Sequence, residues 1–363
     1  MRAAERPERR ARRLLSVAAD GGLRHHRPDD LAGLLRPGDL VVANDAATLP
    51  ASLRGRHVES GAAIEVRLAG WRRAGDPTGF FAVVFGAGGH RIPTERRPPP
   101  PALAPGDRLR LGPLEAVVAF LAGHPRLPAL RFRGGRGTVL AGLARHGRPI
   151  QYAHVPEPLA LWDVWTGLAA RPLAFEPPSA GFALDWRLLA ALRRRGVVLA
   201  TLTHAAGISS TGDPDLDRAL PFDEPYSVPR RTAAAVNRIK AAGGRVVAVG
   251  TTVVRALEAA ARADGLVRAG GGVARGRIGR HSRLQVADAL LTGLHEPGES
   301  HFELLQAFAA APLLKRALAA AGEQGYRTHE FGDFLLVERV VPAAGFGRRL
   351  PGPAADAAQV AEA

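Results

Sequence analysis

Residues 245–260, RVVAVGTTVVRALEAA, set a glycine and two hydroxyls at the junction of an apolar run and an amphipathic one. Val246 to Val249 have the character of a strand buried on both faces of a parallel sheet, and residues 253–261 have helical spacing with few breakers. Gly250, Thr251 and Thr252 then fall at the carboxyl end of a strand. There the N–H groups of a helix start meet the crevice in which open α/β sheets hold small molecules. The plainer alternative is an ordinary strand-to-helix turn with Thr252 as N-cap.

Other familiar chemistry is missing. The chain has no GxGxxG after a strand, no GxxxxGK[ST] and no HExxH, and the run Gly207-Ile208-Ser209-Ser210-Thr211-Gly212 is one residue too long for a nucleophile elbow. His295, Glu299, His301 and Glu303 cluster, but Pro297-Gly298 interrupts them and the histidines lack i,i+4 spacing, so they read as solvated loop residues. There is no cysteine, which removes thiolate nucleophiles, disulfides and cysteine-ligated metals together.

The elements that must position the corner fall into two textures. Residues 30–45 hold a helix-like LAGLL, a turn at Pro37-Gly38-Asp39 and a buried-type strand ending in Asn44-Asp45. From about 50 to 145 the runs are short and strand-like, with Ile64 to Leu68 and Arg108 to Leu111 alternating, punctuated by Gly and Pro; this is the pattern of a small barrel or sandwich. Beyond 150 helices and strands alternate: Asp185 is placed to cap a helix that stops at Gly196, and Thr232 one that stops at Gly243. The fold class expected is α/β, an α/β sandwich of residues 1–50 and 146–363 interrupted by an inserted β-barrel of residues 51–145.

With 363 residues and 46% apolar content the chain can bury a substantial core, and no segment approaches the ~20 apolar residues of a membrane helix. The formal net charge of +15 favours polyanionic partners, nucleic acid first, through arginines such as Arg9, Arg10, Arg12, Arg13 and Arg193 to Arg195. The arginine-rich start also carries Glu5 and Glu8 and no apolar core of a signal peptide, so a cytoplasmic location is expected.

Seven segments, taken in order, resemble one family: PGDLVVANDAATLPASLRG (37–55), PPSAGFALDWRLL (177–189), LTHAAG (202–207), DEPYSV (223–228), RVVAVGTTVVRALEAA (245–260), DALLTGLHEPGES (288–300) and GYRTHEFGDFLLV (325–337). The family is the S-adenosylmethionine:tRNA ribosyltransferase-isomerases of the queuosine pathway. The resemblance implies an α/β domain interrupted by a β-barrel. It also implies transfer and isomerisation of the ribosyl part of S-adenosylmethionine onto an aminomethyl-deazaguanine base in a tRNA anticodon, giving epoxyqueuosine, with no metal; a monomer is expected, though the sequence does not fix the oligomeric state.

Carried over by residue, the resemblance marks His204, Glu224 and His295 for proton transfer. It marks Asn44, Asp45, Tyr226, Gly250, Thr251, Thr252 and Arg255 for S-adenosylmethionine, and Arg327 and Asp333 for the tRNA substrate. Ala46, Ala47, Ser52, Ala183 and Gly293 depart from the family pattern, as in a divergent paralogue. The alternatives are therefore a paralogue that only binds RNA or a nucleoside, or one that uses S-adenosylmethionine on a small-molecule acceptor.

Overall fold

The structure, a computed structural model, describes residues 1–5 and 12–340; Arg9 and Arg10 lie outside them. Nine strands form one mixed sheet in the order Gly270–Ala274, Glu224–Val228, Val198–His204, Leu40–Asn44, Val246–Val249, Ala289–Gly293, Phe334–Glu338, Leu14–Val17 and Leu23–His26. The four strands at its heart, Val198–His204, Leu40–Asn44, Val246–Val249 and Ala289–Gly293, run parallel. The unbroken apolar runs Leu40 to Ala43 and Val246 to Val249 follow from cover on both faces. Leu40, Val42, Val246 and Ala248 pack with Val236, Ile239, Val253 and Leu257 of two helices, while Val41, Ala43, Val247 and Val249 pack with Leu188, Leu189 and Leu192 of another.

The helix starts obey local chemistry, not always at the expected residue. Asp185 does cap the helix Trp186–Arg194, accepting from Leu188 N at 2.8 Å. Thr232 is not a cap. Pro229 takes that position for Arg230–Ala241, and the Thr232 hydroxyl inside the helix donates to Thr201 O at 2.6 Å, fastening helix to strand. Thr252 is not one either, since Gly250 occupies the N-cap of Thr251–Ala260 with φ +94° and ψ 149°, backbone that glycine alone adopts without strain.

Between Ala46–Thr48 and Arg171–Ala174, which pair in parallel, the chain makes its β excursion. Six antiparallel strands close into a barrel in the order Leu114–Leu121, Pro128–Phe132, Gly79–Phe85, Ala63–Trp71, Ser52–His57 and Arg108–Leu111. Arg108–Leu111 alternates exposed and buried as its sequence predicts. Ala63–Trp71 does not, because Glu65 and Arg67 are buried as well. Glu65 accepts from Arg67 Nε at 2.7 Å and from Arg97 Nη1 at 2.6 Å, so the charges are paired where water is excluded. Burial alone would push the Glu65 carboxyl up, but the two guanidiniums hold it below the usual range. Among the described residues no helix is long and apolar enough to cross a membrane.

Candidate active site

A cleft of about 580 Å³ lies where the barrel meets the carboxyl ends of the central strands. Gly250, Thr251, Thr252 and Arg255 line one wall, Thr292 to His295 and Gly298 to His301 the adjoining one. The opposite wall is made by Tyr152, His154, Glu176, Ala206 to Ser210, His329 and Glu330, and Thr94 and Glu95 bring the barrel's contribution. This volume lies within the ~300–1,000 Å³ range of small-molecule sites.

The strand-to-helix corner is open to ligand. Gly250 N donates to Leu291 O at 2.8 Å, which pins the turn to the neighbouring strand. The N–H groups of Thr251 and Thr252 have no acceptor among the described residues, as expected of a first helical turn. Asn44 supports the corner from beneath. Its Nδ2 donates to His204 O at 2.9 Å and to Thr252 Oγ1 at 3.3 Å, and its Oδ1 accepts from Ala46 N and His204 N, both at 3.0 Å. Asp45, its neighbour, points elsewhere and accepts from Thr201 Oγ1 at 3.0 Å and Thr203 Oγ1 at 2.6 Å.

Part of this lining is a largely buried charge pair. Glu224 Oε2 is 3.3 Å from Arg255 Nε and 3.5 Å from His204 Nε2, and Glu224 Oε1 accepts from Gly207 N at 2.5 Å. Arg255 also donates to Ala274 O at 2.9 Å, Gly276 O at 3.1 Å and Phe222 O at 3.2 Å. Burial raises the Glu224 carboxyl, and Arg255 and the Gly207 N–H pull it only part of the way back.

His204 is fully enclosed, and neither ring nitrogen makes a hydrogen bond. Burial, helped by the Arg255 charge, lowers its imidazole to about 3. An imidazole that stays neutral makes the fold weaker in acid. The unfolded chain takes up this proton below pH ~6.5 and the folded chain refuses it until about pH 3, so stability should fall as pH drops between those values. His204→Leu should flatten that slope by about 1.4 kcal/mol per pH unit in chemical denaturation between pH 6.5 and 4.5. Parallel slopes in the two proteins would refute the neutral, buried imidazole.

His295 faces the cleft and shares a hydrogen bond with Thr292 Oγ1 at 3.0 Å, with Glu299 at 3.4 Å on its other nitrogen. The sequence pattern marks the 295–303 cluster as solvated loop. Instead His301 stacks on His295, ring centroids 4.6 Å apart, and Glu299 and His301 are part of the wall. Tyr226, Arg327 and Asp333 are not brought to the lining. Tyr226 lies in the adjacent strand opposite His204, and Asp333 accepts from the backbone N–H groups of Arg13 at 2.6 Å and Arg327 at 2.7 Å.

His154, His329 and Glu330 bring one potential ligand atom each to within 4.8 Å of the others. His154 and His329 are stacked at 4.3 Å with an interplanar angle of 22°, and His154 Nε2 is 2.8 Å from Glu330 Oε2. The cluster is held together by this ring stack and by the His154–Glu330 hydrogen bond.

Comparison with known proteins gives one consistent result. The model of the family described as queuosine biosynthesis protein matches residues 2–337. A Thermus thermophilus protein named S-adenosylmethionine:tRNA ribosyltransferase-isomerase is 35% identical over 335 residues, covering 90% of this chain and 92% of that one. One of the same name from a Methylobacterium species is 34% identical over 352 residues, covering 91% and 93%. A crystal structure of S-adenosylmethionine tRNA ribosyltransferase from Thermotoga maritima aligns over 92% of this chain and 95% of its own, with 23% identity and a TM-score of 0.49.

Proposed function

The chain belongs to the queuosine biosynthesis protein family, and from that premise we propose that it transfers and isomerises the ribosyl part of S-adenosylmethionine onto an aminomethyl-deazaguanine base of tRNA, yielding epoxyqueuosine. The observation that carries this reading is the open Gly250-Thr251-Thr252 helix start, which faces the same cleft as His295 and the wall that Glu224 and Arg255 stabilise. The two free N–H groups and two hydroxyls suit the methionine carboxylate or the adenosyl hydroxyls. Asn44 acts through Thr252, and Glu224 acts by holding Gly207 and Arg255 in place. Since His204 is sealed off and resists protonation, proton transfer at the substrate belongs to groups that face the cleft, His295 among them.

Purified protein given S-adenosylmethionine should release adenine and methionine only when tRNA bearing the aminomethyl-deazaguanine base is present. Binding of both ligands without adenine release would establish the binding-only paralogue. Adenine release without tRNA, but with a small amine, would establish a different acceptor.

The tRNA is proposed to approach by its anticodon region, with the protein acting as a monomer. Of the arginines that the sequence singles out, Arg12 is buried, its guanidinium 5.4 Å from the Phe182 ring centroid and 5.3 Å from that of Phe334, and so does not serve a phosphate. Arg193 and Arg194 are exposed at a helix end, and Arg277 is exposed at the cleft. If about six phosphates are neutralised, tRNA affinity should fall roughly 10³-fold between 50 and 200 mM salt. A dissociation constant unchanged over that range, in filter binding or fluorescence anisotropy, would contradict a phosphate-led interface.

A further inference from the structure

Glu176 is a carboxyl that lines the cleft and that none of the motifs accounts for. It is 8% exposed. Both hydrogen bonds it receives end on Oε1, from the Tyr152 hydroxyl and from Ser209 N at 3.1 Å. Oε2 accepts none among the described residues and is not fully enclosed, and the residue lines the cleft. Among the described residues no arginine or lysine pairs with it. Among the described residues the buried glutamates Glu65 and Glu224 do have cations, Arg67 and Arg97 for the first and Arg255 for the second.

The surroundings hold Glu176 in this state. The segment after the barrel supplies Tyr152 and His154, the loop after Val198–His204 supplies Ser209 and Ser210, and the loop before the last strand supplies His329 and Glu330. Glu330 is engaged by His154 at 2.8 Å. The Arg67 guanidinium, which lies over the Tyr152 ring at 5.4 Å, is itself committed to Glu65. A carboxyl without a cation, in a cleft that admits ligand, lacks the one partner that a positively charged substrate brings.

We propose that Glu176 is a catalytic base, whose Oε2 receives the proton of the acceptor's primary ammonium group before that nitrogen attacks. The inference rests on the tRNA reading above. The step balances: an N–H bond of –CH2–NH3⁺ breaks, an O–H bond forms on Oε2, and the electron pair stays on nitrogen as the nucleophile. An ammonium and a carboxylate become an amine and a carboxylic acid, so the net charge in the cleft does not change. Burial raises the Glu176 carboxyl to about 7, only partly opposed by its hydrogen bonds from Tyr152 and Ser209. A base tuned there is both ionised and strong near neutral pH, where an ordinary glutamate would be a far weaker acceptor for an ammonium proton.

The test is single-turnover adenine release from S-adenosylmethionine with tRNA, for wild type and Glu176→Gln, across the pH range. Wild type should lose rate below an apparent pKa near 7. The variant should be about 10²–10⁴-fold slower at neutral pH and should close the gap as pH approaches the ordinary amine range of ~10, where the acceptor loses its proton unaided. Its calorimetric affinity for S-adenosylmethionine should stay within about twofold of wild type. Isotope-edited infrared difference spectra, wild type minus variant, should show one carboxyl titrating near 7. A variant that keeps the wild-type profile, or loses S-adenosylmethionine binding in step with rate, overturns the role while leaving the proposed function standing, and so does a carboxyl that titrates in the ordinary range. Wild type that turns over no tRNA overturns both.

Discussion

Arg255→Leu is expected to lower the unfolding free energy by about 3–5 kcal/mol at pH 8, because it strands Glu224 as an unpaired buried charge. Three backbone carbonyls, of Phe222, Ala274 and Gly276, lose their donor at the same time. The penalty should depend on pH in a defined direction. Glu224 already has a raised carboxyl with Arg255 present, and without it the neutral acid is the form the fold tolerates. An acid raised in the folded state contributes stability at low pH that is lost as pH rises, so the variant should be less impaired at pH 5 than at pH 8. Adding Glu224→Gln should recover part of the loss at pH 8, the mark of two coupled residues. Urea denaturation of the wild type, the two single variants and the double variant at both pH values decides the matter, and an Arg255→Leu protein as stable as wild type at pH 8 would disprove the pair's structural role.

Gly250→Val is the second change of large effect, expected to remove S-adenosylmethionine binding from calorimetric detection. Space is not the obstacle, for an added Cβ would meet Thr252 Oγ1 at 3.4 Å and Ala180 Cβ at 3.6 Å, both tolerable. The backbone is the obstacle. At φ +94° a side chain is strained by about 1–3 kcal/mol, which is relieved by turning the corner and with it the N–H groups of Thr251 and Thr252. Gly250→Ala should show the same loss in milder form. Thr251→Val and Thr252→Val should each weaken binding by about 1 kcal/mol if the hydroxyl bonds the ligand. Because Gly250 and not Thr252 occupies the N-cap, the Thr252 variant tests binding without loss of a helix cap. Wild-type affinity in folded variants would make the corner purely structural.

The features legible in the sequence are those encoded by neighbours along the chain. Val246 to Val249 and the Gly250 corner announce a buried strand and a ligand-facing turn within a few residues, and the Gly and Pro punctuation of 50–145 announces the barrel. Residues whose role depends on distant partners were not legible. Glu176 owes its character to Tyr152 and Ser209, which are 24 and 33 positions away, and sits in a proline-rich stretch with no periodicity. His204 carries a side chain suited to proton transfer, yet it is fully buried behind Glu224, which itself lines the cleft. Asn44 and Asp45 are adjacent in sequence and take different partners: Asn44 reaches Thr252 and the backbone of His204, whereas Asp45 takes the hydroxyls of Thr201 and Thr203. Glu258 and Asp288 likewise serve the frame: Glu258 accepts from the backbone of Gln285, Val286 and Ala287, and Asp288 joins Lys240 to Arg339.

The pairing of Leu14–Val17 with Phe334–Glu338 fixes a timetable for the growing polypeptide. The backbone N–H of Arg13 reaches Asp333 across 320 positions, so an early strand leaves the ribosome long before its neighbour exists. The barrel's six strands, by contrast, are all synthesised between Ser52 and Phe132, and their longest wait is short. A nascent chain therefore carries a finished barrel beside an incomplete sheet whose apolar strands have nothing to cover them. That interval, and not the mature protein, is when this chain is most exposed to aggregation and most in need of a chaperone.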